Sequence, residues 1–556
     1  MAKRVTIGQY LLEQLHKRGV KHIFGVPGDY VLGFYELIEK SPIRHVGTTR
    51  EDAAGFAADA YARVRGIGAA CVTYCVGGLS LTNPVAGAYA EKSPIVVISG
   101  APGLRERQRD PLLHHRVREF STQREVFERI TVASTSLEDT LTAYHEIDRV
   151  LAAVDRYKRP GYIELPRDMV DVARPHRSRT PSIEELTDEA ALAECLAETM
   201  EMLNASQRPV ILAGVEVHRF GLQDALAELV EKARIPVAAT LLGKSVISEE
   251  HPLYVGVYEG AMGLAEVQEY VESADCVLML GCFMTDINLG VYTANLDPGR
   301  TISATSERIA VRRHRYENVP FRSFFRALVG ARFRRRRRPS LPRRQAPWGP
   351  KPDPDAPITV RALFQMLNDF ITEGMVVIAD IGDSLFGAAD LTIRRRTEFL
   401  GPAYYTSMGF GVPASVGAQL ANPDLRPIVL VGDGAFQMTG LELSTTARLG
   451  LNPIVIVLNN HGYGTERVIQ DGPFNDITGW AFHKVTEVVG CGWGFVVRTV
   501  ADFDKALQAS LANKDTFSII EIDLDKHDIS PALQRLGARL SKQVKGKPHP
   551  SGDRGG

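Results

Sequence analysis

The stretch PIVLVGDGAFQMTGLELSTTARLGLNPIVIVLNNHGYGTE, residues 427–466, decides the fold. Its two apolar runs, 427–432 and 453–458, are typical of buried parallel strands, because hydrophobic and polar residues do not alternate in them. The first run ends at Gly432-Asp433-Gly434 and the second at Asn459-Asn460, with a helical stretch between them. The sequence therefore predicts one β-α-β unit whose strands end at the same edge of a parallel sheet.

Polar groups at these two strand ends form a candidate metal and phosphate site. Because ligands of parallel α/β sheets lie at the carboxyl ends of strands, we expect Asp433 and Asn460 to face one crevice. Their side-chain oxygens and the backbone carbonyl of Gly462 are hard oxygen ligands, which Mg²⁺ prefers. The glycines that flank Asp433 allow backbone N–H groups to approach a diphosphate. Either strand end alone is most simply a tight turn, but the pair at this spacing favours a binding site.

Similar apolar runs recur along the chain and alternate with helical stretches. They include PIVVIS (94–99), GYIEL (161–165), PVILAG (209–214), CVLMLG (276–281), MVVIAD (375–380) and FSIIEID (517–523). This rhythm predicts an α/β protein of three doubly wound parallel-sheet domains. The expected segments are domains at 1–178, 190–332 and 358–545, an Arg- and Pro-rich linker at 333–357, and a flexible tail at 546–556. The central domain has a Rossmann-like order, but LAGVEVHRFG (212–221) lacks the G-x-G-x-x-G dinucleotide fingerprint.

Composition argues against several classes of partner. The chain has 556 residues and a formal net charge of −1, which gives no overall field for nucleic acid or an anionic membrane. No run approaches the roughly 20 apolar residues of a membrane span, and the first residues read as an amphipathic helix. Six scattered cysteines indicate thiols in a reducing compartment. We therefore expect a cytoplasmic protein that binds neither nucleic acid nor membrane, with the arginine run at 332–339 in a solvated linker.

Longer motifs carry a resemblance to a known family. With the upstream GDG, the stretch NNHGYGTERVIQDGPFNDITGW (459–480) resembles the cofactor motif of thiamine diphosphate enzymes, in the form found in 2-oxo acid decarboxylases of the pyruvate and indolepyruvate group. The resemblance spans nearly the whole chain, through IFGVPGDY (23–30), TTREDAAGFAADAYARVRG (48–66), LLHHRV (112–117), GDSLF (382–386) and SMGFGVPASVGAQL (407–420). It implies pyrimidine-binding, central and diphosphate-binding α/β domains, with thiamine diphosphate and Mg²⁺ as cofactors.

The resemblance assigns cofactor-binding roles to particular residues. Glu51 matches the glutamate that hydrogen-bonds N1′ of the aminopyrimidine, where a carboxyl stabilises the tautomer that takes the proton from thiazolium C2. Met408 matches the large apolar residue that bends the cofactor into a V. Further cofactor contacts are expected at Ser384, Gly432, Gly434, Ala435 and Thr465. Read alone, Glu51 is an ordinary helix-start acid and Met408 an ordinary core residue.

Two adjacent histidines, His114 and His115, stand out in a chain with 14 histidines. Read alone, the pair indicates a polar surface loop. In the decarboxylases that the chain resembles, an aspartate, two adjacent histidines and a glutamate surround the reacting carbon, and here they match Asp29, His114, His115 and Glu466. Histidine suits proton transfer, since it ordinarily titrates between pH 6 and 7.

The implied activity is the non-oxidative decarboxylation of a 2-oxo acid to an aldehyde and CO₂, through an ylide and an enamine of thiamine diphosphate. Because the family's site lies between two subunits, a dimer is the expected minimal active unit, in a homodimer or homotetramer. One alternative is a thiamine diphosphate-dependent carboligase or synthase, against which the histidine pair argues. The other is a non-catalytic binding protein on the same fold, against which the presence of Glu51, Asp433 and Asn460 argues.

The resemblance also bears on the substrate. Pyruvate-specific relatives carry tryptophan in a GDSWF motif, and here that position is Leu385; a second tryptophan aligns with Leu536. Leucine in place of an indole ring leaves space for a larger substrate side chain, and Thr465 and Ile469 complete the expected pocket. We therefore expect phenylpyruvate, indolepyruvate or bulky aliphatic 2-oxo acids to be preferred to pyruvate.

Overall fold

The computed structural model describes residues 4–175, 186–342, 348–394 and 398–544. These residues form three successive α/β units, each built on a sheet of six or seven strands, together with one small antiparallel pair of strands. The architecture is the predicted α/β class with three parallel-dominated sheets. No helix within the described ranges is both long and apolar enough to cross a membrane.

The first unit has a six-stranded parallel sheet with a hydrophobic core on each face. Its strands are β1 (Arg4–Thr6), β2 (His22–Gly25), β3 (Arg44–Gly47), β4 (Gly68–Val72), β5 (Ile95–Ala101), β6 (Ala133–Ser136), β7 (Gly161–Pro166) and β8 (Ala173–Pro175). Its helices are α1 (Ile7–Lys17), α2 (Leu32–Glu39), α3 (Glu51–Arg65), α4 (Val76–Ser80), α5 (Thr82–Ala90), α6 (Thr122–Ile130) and α7 (Ala143–Tyr157). The sheet order is β3-β2-β4-β5-β7-β6, and β1 pairs with β8 separately. Helix α1 is the amphipathic helix predicted at the amino terminus, and Thr6 with Gln9 forms its capping box.

The central unit has a seven-stranded sheet that is parallel on one side and antiparallel on the other. Its strands are β9 (Pro209–Ala213), β10 (Val237–Ala239), β11 (Tyr254–Val257), β12 (Cys276–Leu280), β13 (Thr301–Ala304), β14 (Ile309–Val311) and β15 (His314–Tyr316). Its helices are α8 (Glu189–Ala205), α9 (Val215–Arg219), α10 (Gln223–Ala233), α11 (Ala265–Glu272) and α12 (Phe321–Gly330). The order is β11-β10-β9-β12-β13-β14-β15, in which β13, β14 and β15 form consecutive antiparallel pairs.

These antiparallel strands depart from the expected all-parallel sheet for a physical reason. A parallel connection needs a crossover of a dozen or more residues, whereas antiparallel strands can be joined by a short turn. Only residues 305–308 separate β13 from β14, and only Arg312 and Arg313 separate β14 from β15. The chain between these strands is therefore too short for a helical crossover.

The third unit carries a six-stranded sheet that is parallel throughout. Its strands are β16 (Met375–Ala379), β17 (Glu398–Leu400), β18 (Arg426–Gly432), β19 (Ile454–Asn459), β20 (Trp493–Val497) and β21 (Ser518–Asp523). Its helices are α13 (Val360–Phe370), α14 (Asp383–Ala389), α15 (Gly411–Ala421), α16 (Asp433–Thr439), α17 (Leu443–Arg448), α18 (Gly464–Ile469), α19 (Val485–Val489), α20 (Val500–Ala512) and α21 (Pro531–Val544). The order is β17-β16-β18-β19-β21-β20, so the strands of the GDG and NN motifs are neighbours at the centre of the sheet.

The first and third units of the chain pack directly on each other through α3 and α15. A Cβ atom added at Gly417 in α15 would lie 2.0 Å from the backbone oxygen of Ala57 in α3, so only glycine permits this approach. Beside it, the buried Arg63 donates to the carboxylates of Asp59 and Glu91, each at 2.8 Å, and to the Gly401 carbonyl at 3.0 Å. The guanidinium is thus surrounded by acceptors from both units, which satisfies a charge that burial would otherwise destabilise.

The structure describes the predicted linker only in part. The beginning of the linker is not fully solvated, because Arg334 and Arg336 donate hydrogen bonds to the backbone carbonyls of Ser206 and Leu203 in the central unit. Residues 343–347, the predicted boundary after 178 and the predicted tail at 546–556 lie outside the described residues. The six cysteines are free thiols, and Cys491 is the exposed one.

Candidate active site

The carboxyl ends of β18 and β19 are joined by the carboxylate of Asp433. Its Oδ1 accepts a hydrogen bond from the backbone N–H of Gly434 at 2.7 Å, and its Oδ2 accepts one from the N–H of Gly462 at 2.9 Å. Asp433 is the first residue of α16, directly after β18, and Gly462 lies three residues beyond β19. The β-α-β unit therefore brings its two polar strand ends into contact, as the sequence predicts.

Asp433 lies almost completely buried between these strand ends. Burial raises the pKa of its carboxyl to about 6, against the lowering effect of the hydrogen bonds from the Gly434 and Gly462 backbone. The nearby His461 also lowers this pKa, but by less than burial raises it, so a bound cation would stabilise the charged form of the carboxyl. The site therefore has the electrostatic character of a metal position.

A cavity of about 520 Å³ opens at this edge of the sheet. Eleven residues of its wall are predicted site residues: Ser384, Met408, Gly432, Asp433, Gly434, Ala435, Asn460, Gly462, Thr465, Glu466 and Leu536. The cavity thus collects the predicted metal ligands, the predicted diphosphate contacts and one of the predicted proton-transfer groups. Its size is ordinary for a cofactor or small-molecule site.

The residues of this wall fit a diphosphate cofactor with a divalent metal. Gly462 has a φ of 153°, and a Cβ there would lie 2.0 Å from the Asn475 carbonyl oxygen, so it presents only backbone to the cavity. A Cβ at Gly434 would lie 2.6 Å from the Tyr463 ring, so this position also stays bare. The buried Thr465 hydroxyl finds no hydrogen-bond partner among the described residues. Bare backbone and an unpartnered hydroxyl are what a bound diphosphate requires of its surroundings.

Three other predicted site residues form a cluster in the first unit. His114 Nε2 lies 2.8 Å from Asp29 Oδ2, and ligand atoms of Asp29, His114 and His115 all lie within 4.8 Å of one another. The ring of Tyr30 stacks on that of His114, with ring centroids 4.7 Å apart, and Arg167 lies 3.7 Å from Asp29. Asp29 and His114 are exposed, so the cluster is open to a ligand or to another protein surface.

Backbone conformation explains how two consecutive histidines serve one cluster. Side chains of successive residues point to opposite sides of an extended chain. His115 has a φ of 67°, in the left-handed region that non-glycine residues seldom adopt. The turn brings the two rings to a centroid distance of 4.8 Å at an interplanar angle of 80°. The strain is local to a predicted functional position, where such conformations concentrate.

The chain by itself does not bring all the predicted site residues together. Glu51 is the half-buried first residue of α3, and neither it nor the Asp29–His114–His115 cluster lines the 520 Å³ cavity. None of the described residues of the first unit contributes to that wall. Within one chain, Glu51 and the Asp29–His114–His115 cluster are therefore separate from the cavity wall.

Two residues expected in the substrate pocket lie elsewhere. The side chain of Leu385 is fully buried in the core of the third unit and does not line the cavity, whereas its neighbours Ser384 and Phe386 do. Side-chain direction turns by about 100° per residue along a helix, so adjacent positions of α14 face different surroundings. Ile469 ends α18 and also lies off the wall, while Leu536 is on it.

The central unit supplies wall residues that the sequence reasoning missed. Asp286, Ile287 and Val291 line the cavity beside Phe386 of α14. They belong to segment 282–297, which follows β12. The rule that ligands lie at the carboxyl ends of parallel strands applies to β12 as well, and that signal was available in the sequence.

Comparison with known proteins agrees with this geometry. The family description "Thiamine pyrophosphate enzyme, N-terminal TPP binding domain" matches residues 5–125, the corresponding central domain matches 196–331, and the C-terminal TPP binding domain matches 380–522. The cofactor named there, thiamine pyrophosphate, is thiamine diphosphate. The two matched TPP-binding domains are those that carry Glu51 and Asp433.

Individual relatives are similar over almost their whole length. Indole-3-pyruvate decarboxylase of Azospirillum brasilense is 38% identical over 96% of this chain and 98% of its own. Alpha-keto-acid decarboxylase of Mycolicibacterium paratuberculosis is 36% identical, with 96% of each chain covered. Alpha-keto-acid decarboxylase of Mycobacterium tuberculosis strain H37Rv is 35% identical over 97% of this chain and 98% of its own. The chain therefore belongs to the thiamine pyrophosphate enzyme family, in the group that includes these decarboxylases.

Proposed function

We propose that the chain is a thiamine diphosphate- and Mg²⁺-dependent 2-oxo acid decarboxylase, which converts a 2-oxo acid into an aldehyde and carbon dioxide. The observation that carries this proposal is the Asp29–His114 pair, 2.8 Å apart and beside His115. Each turnover breaks one C–C bond and takes up one proton, which a positioned donor must deliver to carbon. The names of the relatives that span the whole chain support the same reaction.

The proposed metal ligands are the Asp433 carboxylate, the Asn460 side-chain oxygen and the Gly462 backbone carbonyl. The burial of Asp433 and its direct hydrogen bond to the Gly462 N–H at 2.9 Å support this assignment. An all-oxygen set suits Mg²⁺, which keeps some of its coordination positions for phosphate oxygens. The proposed diphosphate contacts are Gly432, Gly434, Ala435, Ser384 and the Thr465 hydroxyl.

Thiamine diphosphate, when bound, supplies a nucleophilic carbon and an acceptor for the electron pair that remains when carbon dioxide leaves. We assign to Glu51 the task of holding a proton at N1′ of the aminopyrimidine. Met408 lines the cavity with its side chain near Gly434, since a Cβ at that glycine would lie 3.5 Å from Met408 Cε. That position supports its assignment as the large apolar residue that would contact a bound cofactor.

Four groups are proposed to move protons at the reacting carbon and its oxygen: Asp29, His114, His115 and Glu466. Glu466 lines the cavity, whereas the other three lie in the cluster of the first unit. Apolar side chains on the wall, including Ile287 and Val291, limit the access of water. A site that solvates a carboxylate poorly favours the loss of that carboxylate as carbon dioxide.

A complete site under this proposal requires two subunits. The cavity has no wall residue from the described part of the first unit, and the Asp29–His114–His115 cluster is exposed on that unit. A second subunit that placed its first unit over the cavity would bring Glu51 and the cluster to the cofactor. We therefore propose a homodimer as the minimal active form, either alone or within a homotetramer.

The proposed substrates are aromatic or bulky aliphatic 2-oxo acids such as phenylpyruvate and indolepyruvate. Support comes from the cavity wall, where Leu536 stands together with Phe386, Ile287 and Val291. Leucine leaves more room than the tryptophan of pyruvate-specific relatives, and each additional buried methylene contributes about 0.8 kcal/mol.

We also propose a cytoplasmic location, as expected from the sequence. The free state of all six cysteines supports it.

Aldehyde release across a panel of 2-oxo acids tests the proposal. Purified protein with thiamine diphosphate and Mg²⁺ is expected to form aldehyde and carbon dioxide in equal amounts, with kcat/KM for phenylpyruvate roughly 10²-fold above that for pyruvate. Hydroxyketone as the main product would identify a carboligase and refute the decarboxylase assignment. Aldehyde formation with pyruvate as the best substrate would leave the reaction class intact and refute the proposed preference.

A further inference from the structure

The central unit contains a second cavity, separate from the one described above. It has a volume of about 480 Å³ and lies against strands β12 to β15. One side of it is apolar, formed by Met279, Met284, Leu289 and Leu296. We call this cavity the arginine groove, after the four arginines on its other side: Arg308, Arg312, Arg313 and Arg315.

Strand register explains why there is a groove at this position. Met279 in β12 pairs with Ser303 in β13, Ser303 pairs with Ala310 in β14, and Ala310 pairs with Arg315 in β15. Directly paired residues point to the same face of a sheet. The middle of this row therefore carries only small side chains, with a methionine at one end and an arginine at the other. The opposite face carries Ile302, Ile309 and Val311, which belong to the hydrophobic core.

The arginines of the groove carry unbalanced positive charge. None of the four has a carboxylate partner within ion-pair distance among the described residues, and no acidic residue lines the groove. Glu307, the neighbour of Arg308 in sequence, is already paired with Arg159 at 2.8 Å. In a chain with a net charge of −1, four unpaired arginines around one groove create a local field that attracts anions.

We propose that the arginine groove binds a nucleoside polyphosphate, such as ATP or ADP. Guanidinium groups bind phosphate oxygens through paired N–H donors, and four of them match a ligand with several phosphates. Methionine sulfur and methyl groups pack well against a flat aromatic ring, so the apolar side suits a nucleobase. Ser303 lies in the middle of the row and offers a hydroxyl to a ribose, and the Thr301 hydroxyl, which donates to the Asp297 carbonyl at 2.8 Å, remains an acceptor.

The size and position of the groove distinguish this site from other ligand sites in the chain. A volume near 480 Å³ is in the range of small-molecule sites. The groove lies on a face of the sheet, across strands β12 to β15, whereas a dinucleotide of the Rossmann type binds outside the carboxyl ends of parallel strands. The missing G-x-G-x-x-G fingerprint therefore does not argue against it.

The arginine groove shares one segment with the candidate active site. Met284, Leu289 and Leu296 of segment 282–297 line the groove, while Ile287 and Val291 of the same segment line the 520 Å³ cavity. Hydrogen bonds within the segment hold it together, including one from Asn288 Nδ2 to the Phe283 carbonyl at 2.6 Å and one from the Leu289 N–H to the Thr285 carbonyl at 2.8 Å. A ligand in the groove would touch a compact part of the active-site wall.

Isothermal titration calorimetry on the full-length protein tests the proposal. The protein is first saturated with thiamine diphosphate and Mg²⁺, so that the cofactor cavity cannot take up the added nucleotide. ATP is expected to bind once per chain, and inorganic tripolyphosphate about tenfold more weakly, because it lacks the base and ribose. The double variant Arg313→Ala/Arg315→Ala is expected to weaken ATP binding at least about tenfold, since two charge-assisted hydrogen-bond donors are removed.

A matched control separates the groove from general charge. Arg326 and Arg332 are exposed, and Arg326 lies on α12, which packs on the opposite face of the sheet. Arg326→Ala/Arg332→Ala changes the net charge equally and is expected to leave the ATP affinity within about twofold of the original. If the groove double variant fails to fold, Arg308→Ala alone is expected to weaken ATP binding at least about threefold.

Several outcomes would overturn the proposal. Absence of ATP binding to the cofactor-loaded protein is one, and equal affinity for ATP and tripolyphosphate, which indicates a simple anion patch, is another. Equal weakening by the control variant would indicate long-range charge only. In sedimentation velocity, dissociation of the groove variant into smaller species, without ATP binding to the original protein, would assign the groove to a subunit interface.

Discussion

Asp433 and Gly462 together hold the candidate metal position, one through its carboxylate and the other through the absence of a side chain. The carboxylate accepts N–H groups from both strand ends, and any side chain at Gly462 would collide with the Asn475 carbonyl. Neither residue can be replaced conservatively: a neutral side chain at the first removes the charge, and a methyl group at the second requires backbone movement. The geometry of the candidate metal position therefore depends on the carboxylate of Asp433 and on the lack of a side chain at Gly462.

Asp433→Ala is expected to abolish cofactor retention. The substitution deletes the charged ligand of the proposed Mg²⁺ site, so bound thiamine diphosphate after gel filtration in Mg²⁺-limited buffer should fall at least about tenfold. Asp504→Ala, which removes an exposed carboxylate from α20, is the matched control and should retain the cofactor. Unchanged cofactor content in Asp433→Ala would show that the metal is held elsewhere.

Glu51→Gln is expected to keep the cofactor and lose most of the activity. An amide occupies the same space but cannot exchange the proton at N1′, and removal of a general acid–base group typically costs about 10²- to 10⁴-fold in rate. Both kcat and bound thiamine diphosphate are measured on the same preparation. Asp52→Asn, at the next residue of α3, should be nearly fully active. Turnover near the original rate in Glu51→Gln would contradict the role assigned to Glu51.

Single residues also show where sequence reasoning ends. The contact between Asp433 and Gly462 was predictable, because both follow strands that a β-α-β unit places side by side. The direction of Leu385 was not predictable from an aligned motif, because it depends on how α14 packs on the core. The left-handed conformation of His115 was equally hidden, because histidine adopts a positive φ more often than most non-glycine residues but still only rarely.

At the scale of elements, helix α21 fixes one side of the cavity. Arg535 on this helix donates two hydrogen bonds to the Asp390 carboxylate, both at 2.9 Å, and another to the Met262 carbonyl. Just before the helix, the Ser530 N–H donates to Asp383 at 2.8 Å. Leu536 packs with Phe386 and Met262 in a small hydrophobic cluster. The helix thus holds Leu536 at a defined place on the wall.

Leu536→Trp is expected to shift the substrate preference toward pyruvate. The larger ring fills space that a phenyl or indolyl substrate side chain would occupy, so kcat/KM for phenylpyruvate relative to pyruvate should fall roughly tenfold or more. Gln534→Trp adds the same ring on the exposed side of α21 and should leave the ratio unchanged. An unchanged ratio in Leu536→Trp would remove this residue from the substrate pocket.

The buried carboxyl of Glu259, in the loop after β11, predicts a pH dependence of stability. Burial and the neighbouring Asp390 raise the pKa of Glu259 to about 7, although Arg535 and Lys244 lower it. One oxygen of Glu259 has no hydrogen-bond partner among the described residues. In the unfolded chain a glutamate ionises near pH 4.3. Ionisation of Glu259 therefore destabilises the folded protein as the pH rises from that value to about 7, and this group causes no further loss above about pH 7.

Glu259→Gln should remove this pH dependence. The amide stays neutral at every pH, so the variant is expected to gain stability on the order of 1–3 kcal/mol over the original protein above pH 7 and little below pH 5. Thermal unfolding between pH 5 and pH 8 measures the difference. Glu269→Gln, at an exposed position of α11, is a control for loss of a charge. A constant difference across this pH range would show that ionisation of Glu259 is not its cause.

The type of each element was more predictable from the sequence than the way in which the elements pair and pack. Runs such as PIVVIS and PIVIVL gave buried parallel strands, because only doubly covered strands tolerate unbroken apolar sequence. The antiparallel strands β14 and β15 were missed, since RIAVRRHRY carries too few apolar residues to stand out. Segment 282–297 was missed as a wall of the cavity because the rule on carboxyl ends of parallel strands was applied to β18 and β19 and not to β12, which the segment follows.

For the whole molecule, the position of α3 against α15 matters most. This contact fixes the first unit on the third and leaves the Asp29–His114–His115 cluster outside the cavity wall of the same chain. Domain order along the chain was predictable from the motifs. The separation of the Asp29–His114–His115 cluster from the cavity follows from packing between units, which local sequence patterns do not encode.

Mixing two inactive variants should restore activity if the site is shared between subunits. A dimer of one Glu51→Gln chain and one Asp433→Ala chain would contain one site built from two intact halves. Free exchange of subunits is therefore expected to yield roughly a quarter of the original activity per chain, because half of the dimers are mixed and each has one good site. Native mass spectrometry verifies the exchange, and an inactive mixture with verified exchange would contradict the shared site.

Segment 282–297 has a further consequence, because its two sides belong to the 520 Å³ cavity and the arginine groove. If a ligand on one side of this wall changes the affinity for a ligand on the other, the effect is reciprocal. If an occupant of the groove tightens 2-oxo acid binding tenfold, the 2-oxo acid tightens that occupant tenfold, a coupling of about 1.4 kcal/mol. A nucleotide affinity measured with and without a bound substrate analogue would thus report on the active site from the opposite side of its wall.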